Sequence, residues 1–335
     1  MAGRGSWQHL VKISAKKPNL KLEEKLQLEA QNDKENNIIR IRMLSNWWSS
    51  ADKLCKEWSN MCEKDNLWKD IRIVSNDNDI DYYIILNSPP PGAYYDPTKT
   101  MVFQIEPWVD NPKYNWGVKT WGSWANPDPT KFLEVRGRKT EHHNTVYWQL
   151  ELPLESIINL NYNEKLNTVS SICSSKYFDV GHIHRVDFLK FLESKGDVPL
   201  DIFNQDNSRK FKNYRGKKTP YIDKSTGIVP YKYYFMVENN YERNFITEKM
   251  WEPILCETLV FYAGCPNITD YIDERAFVQL DMNDFEKSYQ IIKTALAEDW
   301  WSQRIDFIRQ AKKKILDELA FFPTVKKIIE SNSKK

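Results

Sequence analysis

Two apolar runs constrain the fold of this chain more than any other feature: Tyr82-Tyr83-Ile84-Ile85-Leu86 near its first third and Tyr231-Lys-Tyr-Tyr-Phe-Met-Val237 in its last. Strands buried on both faces read as near-unbroken apolar runs rather than as alternation, and that pattern belongs to parallel sheets covered by helices. Around the first run, Asn37–Leu44, Ile71–Ser75 and Thr100–Ile105 are further strand candidates. Leu54, Trp58, Met61 and Cys62 recur at the spacing of one helix face. Strand, helix and short buried strands in that order describe an open α/β sheet.

A second series repeats the theme. Thr168–Cys173, Leu200–Phe203, Leu259–Tyr262 and Phe277–Leu280 read as strands, and His184–Leu192, Ile246–Cys256, Asp284–Ala297 and Trp300–Ala320 as helices. Between Trp108 and Tyr147 the chain is rich in Trp, Pro, Asn and Gly without clean periodicity, and reads as a long loop region. The 335 residues suit two domains at roughly 150 residues each. The expected division is a polar N-terminal arm over 1–35, a first α/β domain over 36–160, a second over 161–320, and a helix end and tail over 321–335. The arm carries at most a helical turn around Leu20–Ala30.

Composition removes several classes. Lys plus Arg is 48 and Asp plus Glu is 46, a net charge of +2, which argues against a nucleic-acid partner. The five cysteines are odd in number, widely spaced and without a C-x-x-C pair. They read as buried thiols rather than a zinc site or a disulfide framework. No apolar stretch approaches the roughly 20 residues a membrane helix needs, and none resembles a signal peptide. The expectation is a soluble, cytoplasmic protein with no membrane span.

Open α/β sheets bind ligands at the carboxyl ends of their strands, and paired domains bind them in the cleft between. The run Tyr231–Val237 ends in Glu238 and Asn239, and after a short polar loop a helix opens with Thr247, Glu248 and Lys249. Asn244 or Thr247 is a candidate cap. A helix N-terminus offers free N–H groups and partial positive charge, a ready phosphate site. A lysine there opposes the helix dipole and calls for an anion nearby. The plainer reading is a capped surface helix with an incidental Glu–Lys pair. Pro253 cannot donate to the carbonyl of Lys249, so a kink or a late helix start is expected.

The stretch YKYYFMVENNYERNFITEKMWEPILCETLVFYAG, residues 231–264, resembles the donor-binding motif of the α1,3-fucosyltransferases, glycosyltransferase family 10. That family shows a YKF-like strand, Glu-Asn-Ser, a short loop, Tyr-(Ile/Val)-Thr-Glu-Lys and a strand ending near Gly. The closing section AFVQLDMNDFEKSYQIIKTALAEDWWSQRIDFIR is also similar. The resemblance covers about 165–320 and fades before that. It implies the GT-B fold, two Rossmann-like domains facing across a cleft. It also implies inverting, metal-independent transfer from GDP-fucose, with no cofactor beyond that donor.

Carried across residue by residue, the resemblance places Lys249 on the donor diphosphate and Glu248 on ribose or sugar hydroxyls. It places Asn239 at diphosphate and sugar, Tyr234 near the nucleotide and Arg185 on the diphosphate. A guanidinium suits that last role because it can grip phosphate with two parallel bonds; the alternative is a surface ion pair with Asp187 or Glu193. Glu106, ending the strand candidate Thr100–Ile105, matches the carboxylate that would remove the acceptor hydroxyl proton. Two positions depart from the pattern: Phe245 stands where the family has Tyr, and Asn240 where it has Ser.

Other candidates carry less chemistry. Trp108, Trp116, Trp121 and Trp124 form a possible acceptor platform, since sugar C–H faces pack on indole rings, although tryptophans more often anchor cores and loops. His142 and His143 lack a third metal ligand and read as solvated loop residues. Asp77-Asn-Asp79 and Asp79-Ile-Asp81 satisfy D-x-D but read as a turn. The sequence thus points to a fucosyltransferase acting on a hydroxyl of a glycan, in glycan biosynthesis or protein glycosylation. It resembles the soluble bacterial or large-virus members. The alternatives are the same fold with another nucleotide-sugar donor, or an inactive glycan- or nucleotide-binding protein; no feature speaks to the oligomeric state.

Overall fold

The computed structural model describes residues 20–333, apart from 109–112, 114, 116, 138–139, 161–163, 205 and 218–223. Most of the polar arm, Trp116 and the terminal Lys334-Lys335 lie outside the described residues. The described chain runs α1 (Leu20–Glu35), β1 (Ile39–Ser45), α2 (Ala51–Trp58), β2 (Leu67–Trp68), β3 (Ile71–Val74), β4 (Tyr82–Leu86), β5 (Thr100–Phe103), β6 (Glu134–Arg136) and α3 (Leu154–Ile158). It continues with β7 (Leu166–Ile172), α4 (Val180–Lys195), β8 (Leu200–Asn204), β9 (Tyr214–Lys217), β10 (Tyr231–Val237), α5 (Glu248–Leu255), β11 (Leu259–Ala263), β12 (Phe277–Gln279), α6 (Phe285–Ala297), α7 (Trp300–Lys314) and α8 (Phe321–Asn332).

These strands make two six-stranded sheets, ordered β2-β3-β1-β4-β5-β6 and β12-β11-β10-β7-β8-β9. All pairings are parallel except β2 with β3. The strand order reverses beside the first strand of each sheet, between β1 and β4 and between β7 and β10, which places a ligand crevice at the carboxyl ends of those pairs. The apolar runs behave as read. Met43, Ile84, Met101 and Phe103 enter the main core, whereas their neighbours Leu44, Ile85 and Val102 pack on the opposite face of the first sheet. Alternate side chains of one strand point to opposite faces, so covering both faces demands an unbroken apolar run.

Four segments depart from the sequence expectations. The arm closes in a full helix, α1, and its Asp33 is buried between Arg40 and Arg72, accepting from the Arg72 Nε at 2.9 Å and from the Arg40 Nη1. Propensity alone hid this helix, because its docking rests on ionic contacts with the first sheet rather than on an apolar stripe. The long loop contributes β6, and a second short strand, β9, extends the other sheet.

The fourth departure concerns 321–335, read as a helix end and tail. The chain breaks after a π turn at Ile315–Leu319 and starts α8 afresh, with Pro323 in its first turn, where the missing N–H costs nothing. This helix returns to the first sheet. Phe321 meets Trp58 edge-on at 4.6 Å, Phe322 stacks on Trp68 at 5.7 Å, and Lys326 pairs with Asp70 at 2.7 Å. Each buried phenyl contributes about 1.5–3 kcal/mol, enough to hold the last helix across the two sheets.

All five cysteines are buried free thiols. No helix among the described residues is long and apolar enough to cross a membrane.

Candidate active site

The carboxyl ends of the two sheets face one cavity of about 530 Å³, and Glu106, Arg185, Tyr234, Asn239, Glu248 and Lys249 all line it. From the first sheet come Trp47 and Trp48, just past β1, and Ile105-Glu106-Pro107, just past β5. β5 ends at Phe103, earlier than the sequence suggests, but its ladder is prolonged by one backbone bond and one bond to a side chain. Gln104 N–H donates to the Arg136 carbonyl at 2.9 Å, and Ile105 N–H donates to the Asn87 side-chain oxygen at 2.9 Å. Those bonds fix the residue that follows, Glu106. Burial pushes its carboxyl up to about 7, with Glu248 adding to the effect and the Lys249 ammonium opposing it. A carboxylate poised near neutrality is suited to taking a proton.

Arg185 is buried on α4 and is aimed at the end of β10. Its Nε donates to the Val237 carbonyl at 3.1 Å and its Nη2 to the same carbonyl and, at 3.1 Å, to Asn239 Oδ1. The expected alternative partners are engaged elsewhere, Asp187 with the Tyr177 hydroxyl and Glu193 with the Asn213 N–H. α4 comes this close to β10 because residue 181 is glycine. A Cβ there would sit 1.6 Å from the Glu238 carbonyl oxygen, a contact no side chain can make. Tyr234 is buried, its hydroxyl accepting from the Ile172 N–H at 3.3 Å beside the β7/β10 crevice.

α5 starts at Glu248, two residues later than the sequence suggests, with Thr247 as its cap, and keeps Pro253 inside it. Glu238, wholly buried, accepts from the Thr247 N–H at 2.8 Å and from its hydroxyl at 2.7 Å. Burial raises the Glu238 carboxyl, partly offset by Lys249 and by the two Thr247 bonds. The Lys249 ammonium donates to Glu248 Oε1 at 3.0 Å and to Thr247 Oγ1 at 3.2 Å. Burial works against that charge, but Glu248 and Glu238 outweigh it and raise the lysine. The lysine opposing the helix dipole is thus held by carboxylates of the protein itself.

Glu248 is also held from the first half of the chain. Tyr147 donates to its Oε2 at 3.1 Å, and the Lys224 ammonium lies 3.8 Å from its Oε1. Burial would raise this carboxyl; the Lys249 and Lys224 ammonium groups and the two hydrogen bonds overcome it and hold Glu248 ionised well below the usual carboxylate range. One helical turn on, Glu252 accepts from the Gln149 N–H at 2.6 Å and pairs with Lys224 at 3.1 Å. The Glu248-x-x-x-Glu252 spacing puts both on one face of α5, a visible signal. The partners Tyr147 and Lys224 gave none, since they sit in irregular chain far away in sequence.

Across the cleft, Asn240 donates to the Trp108 carbonyl at 2.6 Å and Glu242 accepts from the Trp108 N–H at 2.6 Å. Asn240, the departure from Ser, therefore ties the loop after Glu106 to the second sheet. Phe245, the departure from Tyr, is buried at the cavity wall.

The loop aromatics divide. Trp124 packs with Tyr95 and Phe132 on the far face of the first sheet, away from the cavity. Trp121 instead meets the cavity residue Trp47 edge-on at 5.9 Å. His143 corrects the expectation of a solvated pair: it is buried with its ring edge on Tyr271 at 4.9 Å, and burial lowers it to about 3, while His142 stays exposed. The D-x-D segment is a turn, with Asp77 accepting from Arg42 at 2.8 Å and Asp79 at φ 47°. Among the described residues no cluster of three His, Cys, Asp or Glu side chains is placed to hold a metal.

Residues 162–298 match the family model of glycosyltransferase family 10 (fucosyltransferase), C-terminal part. That segment contains Arg185, Tyr234, Asn239, Glu248 and Lys249, and Glu106 precedes it. No curated protein sequence matches the chain. An α-glucosyltransferase in complex with UDP and a 13-mer DNA superposes with a TM-score of 0.54 at 10% identity, over 88% of this chain and 99% of that one. Anabaena Alr3699/HepE in complex with UDP superposes with a TM-score of 0.52 at 8% identity, over 89% and 100%. An α1,3-fucosyltransferase with GDP reaches 0.47 at 17% identity, over 84% and 90%. The chain is a glycosyltransferase of the GT-B fold, and its residues 162–298 are similar to the C-terminal part of family 10 (fucosyltransferase).

Proposed function

We propose that the chain transfers fucose from GDP-fucose to a glycan hydroxyl with inversion and without a catalytic metal. One observation carries this reading: a single cavity brings Glu106 from the first sheet opposite Arg185, Asn239 and Lys249 from the second. In the proposed reaction Glu106 accepts the proton of the acceptor hydroxyl as its oxygen attacks the anomeric carbon. The bond from that carbon to the diphosphate oxygen breaks, and the diphosphate leaves with the bonding electron pair. A single displacement of this kind inverts the anomeric centre.

The charge that develops on the diphosphate is met by the Arg185 guanidinium, whose Nη1 makes no hydrogen bond among the described residues, by Lys249 and by the N-terminus of α5. These cations supply what a divalent ion supplies in other transferases, and that is the ground for proposing metal independence. Glu248 is placed for sugar or ribose hydroxyls and Tyr234 for the nucleotide. A second reading, the same fold with a uridine-linked donor, is favoured by Phe245 in place of the motif tyrosine and by the UDP held in two structures of this fold.

Thermal shift with GDP, GDP-fucose, UDP and UDP-glucose separates the two readings, since a ligand of the native state raises Tm as RT ln(1 + [L]/Kd). A selective shift with the guanosine ligands, unchanged by chelator, and fucose transfer in a coupled assay are expected. A selective uridine shift replaces the donor. Binding without turnover or donor hydrolysis leaves a binding protein.

A further inference from the structure

We infer that Trp47 is the stacking platform for the acceptor, which is therefore a pyranoside presenting a continuous C–H face; this deepens the transferase reading and rests on it. Trp47 and Trp48 follow β1 at the β1/β4 crevice of the first sheet, and both border the cavity, but they differ in how firmly the core holds them. Trp48 packs down on the main core and donates its ring N–H to Glu57 at 2.6 Å. Trp47 is 46% exposed and lines the same cavity as Glu106.

A large aromatic side chain is normally drawn into a core, and its exposure inside a concave polar site marks a binding surface. The ring is also held in place. Trp121 abuts it edge-on with planes at 84°, the turn beneath is fixed by Asn46 N–H to the Ser88 carbonyl at 2.9 Å, and Trp47 N–H donates to Ser45 Oγ at 3.3 Å. A T-shaped neighbour supports an indole and covers at most one of its two faces, leaving the other for stacking. The position is on the first-sheet side of the cleft, with the proposed base and opposite the cations. A ring seated on Trp47 therefore lies on the side from which a hydroxyl must attack. An acyclic polyol carries the same hydroxyls but no such face, and is excluded as a good acceptor.

The experiment is saturation-transfer difference NMR of the full chain with methyl β-D-galactopyranoside, methyl β-D-glucopyranoside and glycerol, alongside a separate GDP thermal shift. Wild type is expected to saturate the ring protons of at least one pyranoside and not glycerol. Trp47→Ala is expected to lose that signal at least tenfold, and Trp47→Phe to retain part of it, with Tm and the GDP shift unchanged in both. A pyranoside signal that survives Trp47→Ala, or the absence of any pyranoside signal in wild type, overturns the inference. Loss of the sugar signal in Trp47→Ala together with no GDP shift in wild type would uphold this platform and sink the guanosine donor instead.

Discussion

The Glu238 carboxylate grips Thr247 twice, at the backbone N–H (2.8 Å) and at the hydroxyl (2.7 Å), so the end of β10 decides where α5 begins. The donor-side roles proposed for Glu248 and Lys249 depend on that junction, because they are the next residues along.

Removing the grip should therefore cost stability and placement together. Glu238→Ala leaves a cap donor unmet in a closed interior and strips Lys249 of one of its two carboxylates. The expected loss is about 3 kcal/mol in urea unfolding. A change below about 1 kcal/mol would show that the junction is held by packing alone.

The pH profile of transfer should carry an acid limb near neutrality. The Glu106 carboxyl is pushed up to about 7, and a base acts only when ionised, so kcat/KM rises as pH increases through that value. Glu106→Gln should abolish the limb and lower kcat by roughly 10²–10⁴-fold with the GDP shift intact. A profile flat from pH 5 to 8 would contradict the assignment.

The same residue has the opposite effect on stability. Its folded pKa lies above the unfolded value, so it favours the fold below about pH 4.5, and that contribution is lost as pH rises through about 7. Glu106→Gln should raise stability by about 1–3 kcal/mol at pH 8 and by almost nothing at pH 4. Chemical denaturation at the two pH values reads this directly, and equal effects at both would remove burial as the cause.

Lys249→Ala removes a cation from the cleft and leaves Glu248 and Glu238 short of a partner. GDP affinity should fall roughly 100-fold, and Tm should fall as well. Calorimetric titration showing unchanged GDP affinity would take the lysine out of the donor site.

Gly181→Ala tests the approach of α4 to β10. With a Cβ only 1.6 Å from the Glu238 carbonyl oxygen, the helix must retreat, at a cost of about 3 kcal/mol, and carries Arg185 with it. Both Tm and donor binding should drop. A variant with wild-type affinity would mean that Arg185 reaches its place without that close contact.

Much of this was legible in the residues. Tyr82–Leu86 and Tyr231–Val237 declared two doubly covered sheets, and Glu248, Lys249 and Asn239 stood at the loop that parallel sheets reserve for ligands. Thr247, one of the two candidate caps, does cap α5. The helix at Phe321 was missed because the phenyl pair reads as the tail of a preceding helix until Trp58 and Trp68 are known to lie opposite. His143 was misread for a similar reason: a loop histidine shows no sign of the Tyr271 ring that covers it.

The sequence by itself determined the long central strands, which residues follow them and what motif they spell, because hydrophobic period and capping chemistry act within a few residues. The tertiary structure alone decided that Tyr147 and Lys224 hold Glu248, that Asn240 ties down the loop beyond Glu106, and that Trp47 rather than Trp124 faces the cavity. Those contacts join residues tens to more than a hundred positions apart, and such pairs meet only when two sheets have packed with their carboxyl ends toward one cleft.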